Sequence, residues 1–466
     1  MPDRAALVAR LHAVVGDAGL IQTQSDMAPY LTDWRGSFTG KALAIVRPAT
    51  TDEVAAVMGI CAATKTPVVP QGGNTGLVGG GVPDTSGDAI VLSLNRMSHI
   101  RAIDTDNDTV TVEAGVILHT VQIAAADADR LFPLSLAAEG SCTIGGNLST
   151  NAGGTNVLRY GNARDLVLGL EVVTPAGEIW HGLSGLRKDN SGYDLRHLLI
   201  GAEGTLGVIT AATLKLFPLP KARVVALAAT PSPQMAVVLL NRIKRTFADR
   251  LVGFELMSRQ CIELVLQHIP NTREPFSQQH AWQVLIEIND IRADTPIRDW
   301  LENELSDAMG HDEVIDAVMA GSEAQIAELW RLREEISEAQ RLAGKNVKHD
   351  ISVPISKIPE FIKKCDAALL QRVPDISLVC FGHLGDGNLH YNCGLANQGL
   401  THAEVINKIV YDHVDAFGGS ISAEHGIGQL KRGEITAHKS AVALNMMRQI
   451  KRALDPDNIM NPGKIL

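Results

Sequence analysis

The sequence predicts an α+β chain, and three observations carry that prediction. Short β-rich runs closed by glycine or proline fill residues 42–217. Long amphipathic stretches alternating with strand-like runs fill 218–425, the pattern of an antiparallel sheet covered by helices, here expected on one side. Between them Phe217-Pro-Leu-Pro-Lys221 interrupts both textures. Three parts are therefore expected: 1–217 with its core at about 38–217, then 218–425, and a helical C-terminal segment, 426–466, returning to the first part.

Residues 42–47 read as a strand that Pro48 ends. Thr50-Thr-Asp-Glu53 is a capping box, and Val54, Val57, Met58 and Cys61 would share the buried face of the helix it opens. Further strands are expected at 66–70, 89–94, 109–113, 168–174 and 208–217. In the second half, helices are expected at 234–247, 256–268, 296–309, 322–342 and 357–371. Strands are expected there at 282–288, 376–381 and 389–393, and the tail at 454–463 is rich in turn residues.

Composition narrows the class of partner. The 466 residues carry 42 basic and 52 acidic side chains, a formal charge of −10. Nucleic acid and anionic membranes are poor partners for such a surface, and an anionic substrate would need a local basic patch. The six cysteines (61, 142, 261, 365, 380, 393) form no C-x-x-C pair, so buried free thiols in a reducing compartment are expected. No run of 18 apolar residues is present, so no membrane span is expected, and the N-terminal residues lack the apolar core of a secretory signal. A cytoplasmic protein is the simplest expectation.

Two segments carry metal chemistry. His383-Leu-Gly-Asp-Gly-Asn-Leu-His390 holds two histidines seven apart, which a regular strand would point to opposite faces. The Gly385-Asp386-Gly387 core permits a sharp turn that would bring both imidazoles to one point. Ser422-Ala-Glu424-His425-Gly426 adds a carboxylate and a third imidazole. Two histidines and one carboxylate with positions left open form a catalytic type of metal set, His383, His390 and Glu424, with His425 beside it as a base. Spacing alone is equally compatible with a polar turn.

Three glycine-rich segments point to a large cofactor. Residues 71–81 contain six glycines after a strand, a nest of backbone N–H groups suited to a pyrophosphate. Residues 138–154 with Arg159-Tyr-Gly161, and 200–209, are the second and third. Neither a dinucleotide G-x-G-x-x-G nor a P-loop is present.

Pro70-Gln-Gly-Gly-Asn-Thr-Gly76, Ile144-Gly-Gly-Asn with Asn151-Ala-Gly-Gly154, Gly201-Ala-Glu-Gly-Thr-Leu-Gly207 and Asn461-Pro-Gly-Lys464 resemble the two-part FAD-binding domain (PCMH type) of the vanillyl-alcohol oxidase/p-cresol methylhydroxylase flavoproteins. The two histidine segments are similar to the C-terminal domain of FAD-linked D-2-hydroxyacid dehydrogenases. Arg187-Lys-Asp-Asn-Ser-Gly-Tyr-Asp-Leu195 and Phe254-Glu-Leu-Met257 resemble the D-2-hydroxyglutarate dehydrogenase branch.

The resemblance implies FAD, held without a covalent tether, because Asn74-Thr75 stand in the first loop with no nearby histidine. The implied flavin contacts are Pro70, Gln71, Gly72, Gly73, Asn74, Thr75, Gly76 and Leu77; Gly140, Ser141, Ile144, Gly145, Gly146, Asn151, Ala152, Gly153, Tyr160 and Gly161; Glu203, Gly204 and Ile209; and Asn388 and Asn461. It implies substrate carboxylates on Arg333, Ser337 and Lys348. Asn392, two beyond His390 and so on its strand face, is a candidate to brace the site or to orient the substrate. Arg333 and Ser337 are four apart and would share one helical face. Where the pattern usually has threonine, this chain has Ser337, which enlarges the pocket by a methyl.

Oxidising a 2-hydroxyacid requires the hydroxyl proton to leave, a hydride to reach flavin N5, and the carboxylate to be held. A metal, Zn²⁺ or alternatively Mn²⁺ or Co²⁺, would lower the hydroxyl pKa. D-2-hydroxyglutarate is the expected substrate, giving 2-oxoglutarate, with D-malate, D-lactate and D-mandelate as alternatives. A flavin oxidase using O₂ is more remote, and a metalloprotein without cofactor more remote still. Electrons would leave to an electron-transfer flavoprotein or a quinone-linked carrier, and a homodimer is the default assembly.

Overall fold

Proline and turn residues cut the first half into short strands, and among the described residues these build two larger sheets and a two-stranded one, Arg130–Leu131 with Phe217–Pro218. The computed structural model describes residues 4–395 and 402–466. The chain divides into unit 1, Met1–Gly154, Gly161–Leu219 and Glu424–Leu466, and unit 2, Thr155–Tyr160 and Pro220–Ala423. The short Thr155–Tyr160 segment thus belongs to unit 2, although the sequence keeps it within 1–217. Glu424 and His425 belong to unit 1, although 218–425 was expected to contain them.

In unit 1, Ala44–Val46 and Val68–Gln71 flank Ile90–Ser93 in parallel, and Leu20–Ile21 adds an antiparallel edge. Helix Thr51–Thr64 makes the crossover between the two flanking strands. Thr50 Oγ1 accepts from Glu53 N at 3.1 Å, but the Glu53 carboxylate accepts from Ala49 N at 2.7 Å, so the capping box closes one residue early. Val54, Val57, Met58 and Cys61 are all fully buried, as their helical spacing requires.

The second sheet is antiparallel, in the order Ile100–Asp104, Thr109–Glu113, Val208–Lys215, Val167–Val173, Ile179–Gly182. The C-terminal tail rejoins the first sheet: Val68 N donates to Ile459 O at 2.8 Å, and Asn461 N donates to Val68 O at 2.8 Å.

Unit 2 is built on one antiparallel sheet. Among the described residues its order is Asp316–Met319, Ala222–Thr230, Trp282–Asp290, Leu251–Ser258, Ile376–His383, Asn388–Leu395, Asn346–Val347, with Asp350–Ser352 also paired to Asn388–Leu395. Helices cover both faces, not one. Val224, Ala226 and Ala228 pack on one side with helices Pro233–Phe247, Ile297–Gly310, Ile358–Arg372 and Ala403–Ala416. Val225, Leu227 and Ala229 pack on the other with Arg259–His268, Glu323–Glu334 and Ile336–Ala343. Both alternating sets of Ala222–Thr230 are apolar, and such a strand can be satisfied only by cover on each face.

Two expected elements change here. Residues 256–258 finish the central strand Leu251–Ser258, and the helix starts at Arg259. All eight residues of that strand are buried, so strand pairing on both edges outweighs the helical spacing of the following apolar residues. The single helix expected at 322–342 is divided at Glu335 into Glu323–Glu334 and Ile336–Ala343. Arg333, on the first, is buried and Ser337, on the second, is exposed, so the pair does not present one continuous helical face. All six cysteines are free and buried.

Candidate active site

Unit 1 holds a cleft of about 560 Å³ lined by Tyr30, Gln71, Gly72, Gly73, Asn74, Asn95, Gly115, Val116, Ile117, Ser141 and Thr143, among others. The first glycine loop lies against the second segment with no space for side chains. A Cβ on Gly72 would stand 2.3 Å from Thr143 Oγ1, and one on Gly73 would stand 2.1 Å from Ser141 O. Main chain therefore forms the wall, and its amides are the donors a pyrophosphate needs.

Side chains fix the loop from behind. Gln71 Nε2 donates to Tyr30 O (2.9 Å) and Gly81 O (2.8 Å), and Asn74 Nδ2 donates to Thr32 O (2.9 Å). Asn74 adopts φ +53°, a conformation asparagine tolerates. Thr143 Oγ1 is buried with no partner among the described residues, a polar atom waiting for a ligand. The volume, the main-chain wall and this orphaned hydroxyl fit a dinucleotide such as FAD.

Of the residues expected at the flavin, Gln71, Gly72, Gly73, Asn74 and Ser141 line this cleft. Tyr30, Asn95, Gly115, Val116, Ile117 and Thr143 line it too and were missed; all but Thr143, which sits inside the second glycine segment, come from segments without a glycine cluster to mark them. Glu203, at φ +49°, turns its carboxylate onto backbone, accepting from Ile427 N (2.8 Å) and Gly428 N (2.7 Å). Burial pushes its pKa up, and those two amides oppose the rise. Asn151 also has positive φ, and its Oδ1 accepts from Arg164 N at 3.0 Å. Asn461 Nδ2 donates to Gly80 O and Glu203 O, tying the C-terminal tail to two glycine segments. Tyr160 and Asn388 lie in unit 2. Tyr160 is buried beneath Arg159, whose guanidinium sits 4.9 Å from the ring centroid.

In unit 2, strands Ile376–His383 and Asn388–Leu395 form a hairpin in which Phe381 faces His390. His383, two residues beyond Phe381, therefore shares the face of His390. Their ring centroids are 5.7 Å apart at 73°. The turn at 384–387 does what its glycines predict, and Gly387 takes φ +91°.

A residue not selected from the sequence connects this pair to the expected anion site. Glu255, across the sheet from His383, is 1% exposed. Its Oε1 lies 2.7 Å from His383 Nδ1, and its Oε2 accepts from Arg333 Nε at 2.8 Å. A carboxylate can only accept, so Nδ1 carries the proton in this bond. Burial alone would raise the Glu255 pKa, but the charges and hydrogen bonds of His383 and Arg333 outweigh it and hold it at about 2. Arg333 also stacks on Phe381, 4.8 Å from its centroid.

The remaining expected residues fall as follows. Lys348 is half-buried between Asn346–Val347 and Asp350–Ser352. Asn392 is buried; its Oδ1 accepts from His349 N (3.0 Å) and its Nδ2 donates to Gln340 Oε1 (3.1 Å). Asn388 Nδ2 braces Asp350 Oδ1 and Ile351 O. Glu424, in unit 1, accepts from Gly154 N at 2.8 Å, and His425 beside it is half-buried.

Residues 42–182 match the family described as "FAD binding domain", and 219–465 match "FAD linked oxidases, C-terminal domain". A D-2-hydroxyglutarate dehydrogenase of Xanthomonas citri pv. viticola is 40% identical over 95% of this chain and 93% of its own. The chain belongs to the FAD-linked D-2-hydroxyacid dehydrogenases.

Membership makes this dehydrogenase an oxidoreductase acting on CH–OH groups, with FAD as cofactor. The mitochondrial D-2-hydroxyglutarate dehydrogenase of Arabidopsis thaliana is 37% identical over 97% of this chain and 80% of its own. The p-cresol methylhydroxylase structure superposes with a TM-score of 0.76 at 16% identity, covering 99% of this chain and 96% of that one, and shares the fold.

The cytoplasmic expectation is corrected by these relatives, several of which are named as mitochondrial. Composition reports solubility and charge, and carries no address of a compartment. No helix among the described residues is long and apolar enough to cross a membrane.

Proposed function

We propose that this dehydrogenase oxidises D-2-hydroxyglutarate to 2-oxoglutarate. The observation that carries the reading is the juxtaposition in unit 2 of the histidine pair with a buried arginine, Glu255 holding His383 on one oxygen and Arg333 on the other. Relatives named for D-2-hydroxyglutarate support the same substrate.

Residues 1–217 and 426–466 are assigned to flavin binding and 218–425 to substrate and metal. When bound, without covalent tether, the flavin supplies the hydride acceptor. His383, His390 and Glu424 would hold a divalent ion, Zn²⁺ in preference to Mn²⁺ or Co²⁺, which would supply a Lewis acid for the 2-hydroxyl. His425 takes the hydroxyl proton. Arg333, Ser337 and Lys348 hold the carboxylates, and Asn392 steadies the strand that carries His390. Two cations and a hydroxyl suit a second carboxylate better than a methyl or phenyl group. Electrons leave to an electron-transfer flavoprotein or quinone-linked carrier, and the enzyme works as a homodimer.

The test is anaerobic bleaching of the flavin by D- and L-2-hydroxyglutarate, D-malate, D-lactate, D-mandelate and glycolate. Fastest bleaching by D-2-hydroxyglutarate is expected. Preference for a monocarboxylate would remove the roles given to Arg333, Ser337 and Lys348. D-lactate is the second reading, because a relative in Schizosaccharomyces pombe, 35% identical, is named a putative D-lactate dehydrogenase.

A further inference from the structure

Glu255 stands at the centre of unit 2, on the strand Leu251–Ser258, and none of the roles above uses it. A carboxylate buried to this degree must have both oxygens satisfied. They are, by two residues of different function: Oε1 by His383 Nδ1 and Oε2 by Arg333 Nε. The ring of Phe381 closes the assembly, since Arg333 stacks on it and its centroid lies 4.9 Å from that of His390. Arg333 spends Nε on Glu255, so its two terminal nitrogens keep their donors for a ligand. His383 spends Nδ1, so a metal at this residue would be held through Nε2.

We propose that Glu255 is a positioning residue that couples metal binding at His383 to carboxylate binding at Arg333. This rests on the reading of His383 as a metal ligand and Arg333 as a substrate clamp. One carboxylate fixes the tautomer and rotamer of the first and the fork orientation of the second. Displacing either partner alters the hold on the other. The terminal acceptor of glutamine is a single oxygen, so Glu255→Gln must release one of the two N–H groups, whichever way the amide turns. The carboxylates that support metal-bound histidines are worth about 10- to 100-fold in metal affinity when lost.

The experiment titrates the holoenzyme with EDTA and follows protein-bound zinc by elemental analysis, alongside KM and kcat for D-2-hydroxyglutarate. Four proteins are compared: wild type, Glu255→Gln, Arg333→Gln and His390→Ala. Flavin content reports that each is folded. Glu255→Gln is expected to release zinc at about 10- to 100-fold lower chelator concentration, with KM raised as well as kcat lowered. Arg333→Gln, which touches no metal ligand directly, is also expected to shift zinc release, and that shift tests the coupling if Glu255→Gln does not fold.

Zinc retention equal to wild type in Glu255→Gln and in Arg333→Gln would overturn the coupling. His390→Ala separates the two readings. If wild type holds zinc and His390→Ala loses it while the other variants do not, the coupling alone fails. If wild type holds no zinc, the metal assignment itself fails and takes the coupling with it.

Discussion

The Glu203 carboxylate and the Gly428 amide are 2.7 Å apart, with Ile427 N on the other oxygen at 2.8 Å, although more than 220 residues separate them in sequence. One buried side chain thus ties the third glycine segment to the chain just beyond His425. Glu203→Ala leaves two amides without acceptors, each costing about 1–3 kcal/mol. It should lower the thermal midpoint and loosen flavin retention together. Glu203→Gly removes the same bonds but relieves the positive φ, so it should be the milder variant in the same melt.

Chelation provides a second test. Exhaustive EDTA treatment should abolish turnover of every 2-hydroxyacid while leaving the bound-flavin spectrum unchanged, and Zn²⁺ should restore it. Activity that survives metal analysis at zero would remove His383, His390 and Glu424 from metal binding.

Substrate discrimination rests on cations outside the histidine pair. Lys348→Ala and Arg333→Ala should each lose about 10- to 100-fold more kcat/KM on D-2-hydroxyglutarate than on D-lactate, the worth of a charge-assisted hydrogen bond. Steady-state kinetics on both substrates decide it, and equal losses would exclude a distal-carboxylate clamp.

Acid denaturation should release all yellow colour into the supernatant, because the loop at Asn74-Thr75 has no histidine to tether the flavin. Colour remaining on the precipitated chain would show a covalent link.

Lys464 offers a pH test. It is 4% exposed, and burial pulls its pKa from 10.5 down to about 8; Asp84 and Glu203 oppose the fall, and Arg432 adds to it. The fold therefore disfavours the charged amine, by about 3 kcal/mol at pH 7. The unfolded chain binds the extra proton between pH 8 and about 10.4, so stability rises with pH across that window. Lys464→Met should be more stable than wild type at pH 7 and lose this rise. Denaturant midpoints measured from pH 7 to 10.5 would show it, and parallel curves would refute it.

Local signals were legible without coordinates. The buried face of Thr51–Thr64, the turn between His383 and His390 and the six-glycine loop all follow from spacing within a dozen residues. In each, periodicity or backbone freedom acts at short range. The division of 322–342 at Glu335, the double cover of the unit 2 sheet and the strand at 251–258 did not. They depend on what packs against each segment.

What the sequence by itself determined was the chemistry on offer: the flavin-type glycine loops, the two histidines, and the family they imply. What only the tertiary structure decided was partnership. Glu255 looks like any strand glutamate until antiparallel pairing sets it opposite His383 and packing lowers Arg333 onto its other oxygen. Tyr30, on the helix Gln24–Leu31, and Asn95 carry no local mark of a binding wall until the first glycine loop packs beside them. Hydrogen-bond partners and cavity walls are set by distances between segments far apart in the chain. No local pattern encodes those distances, because they are a property of the whole packed unit.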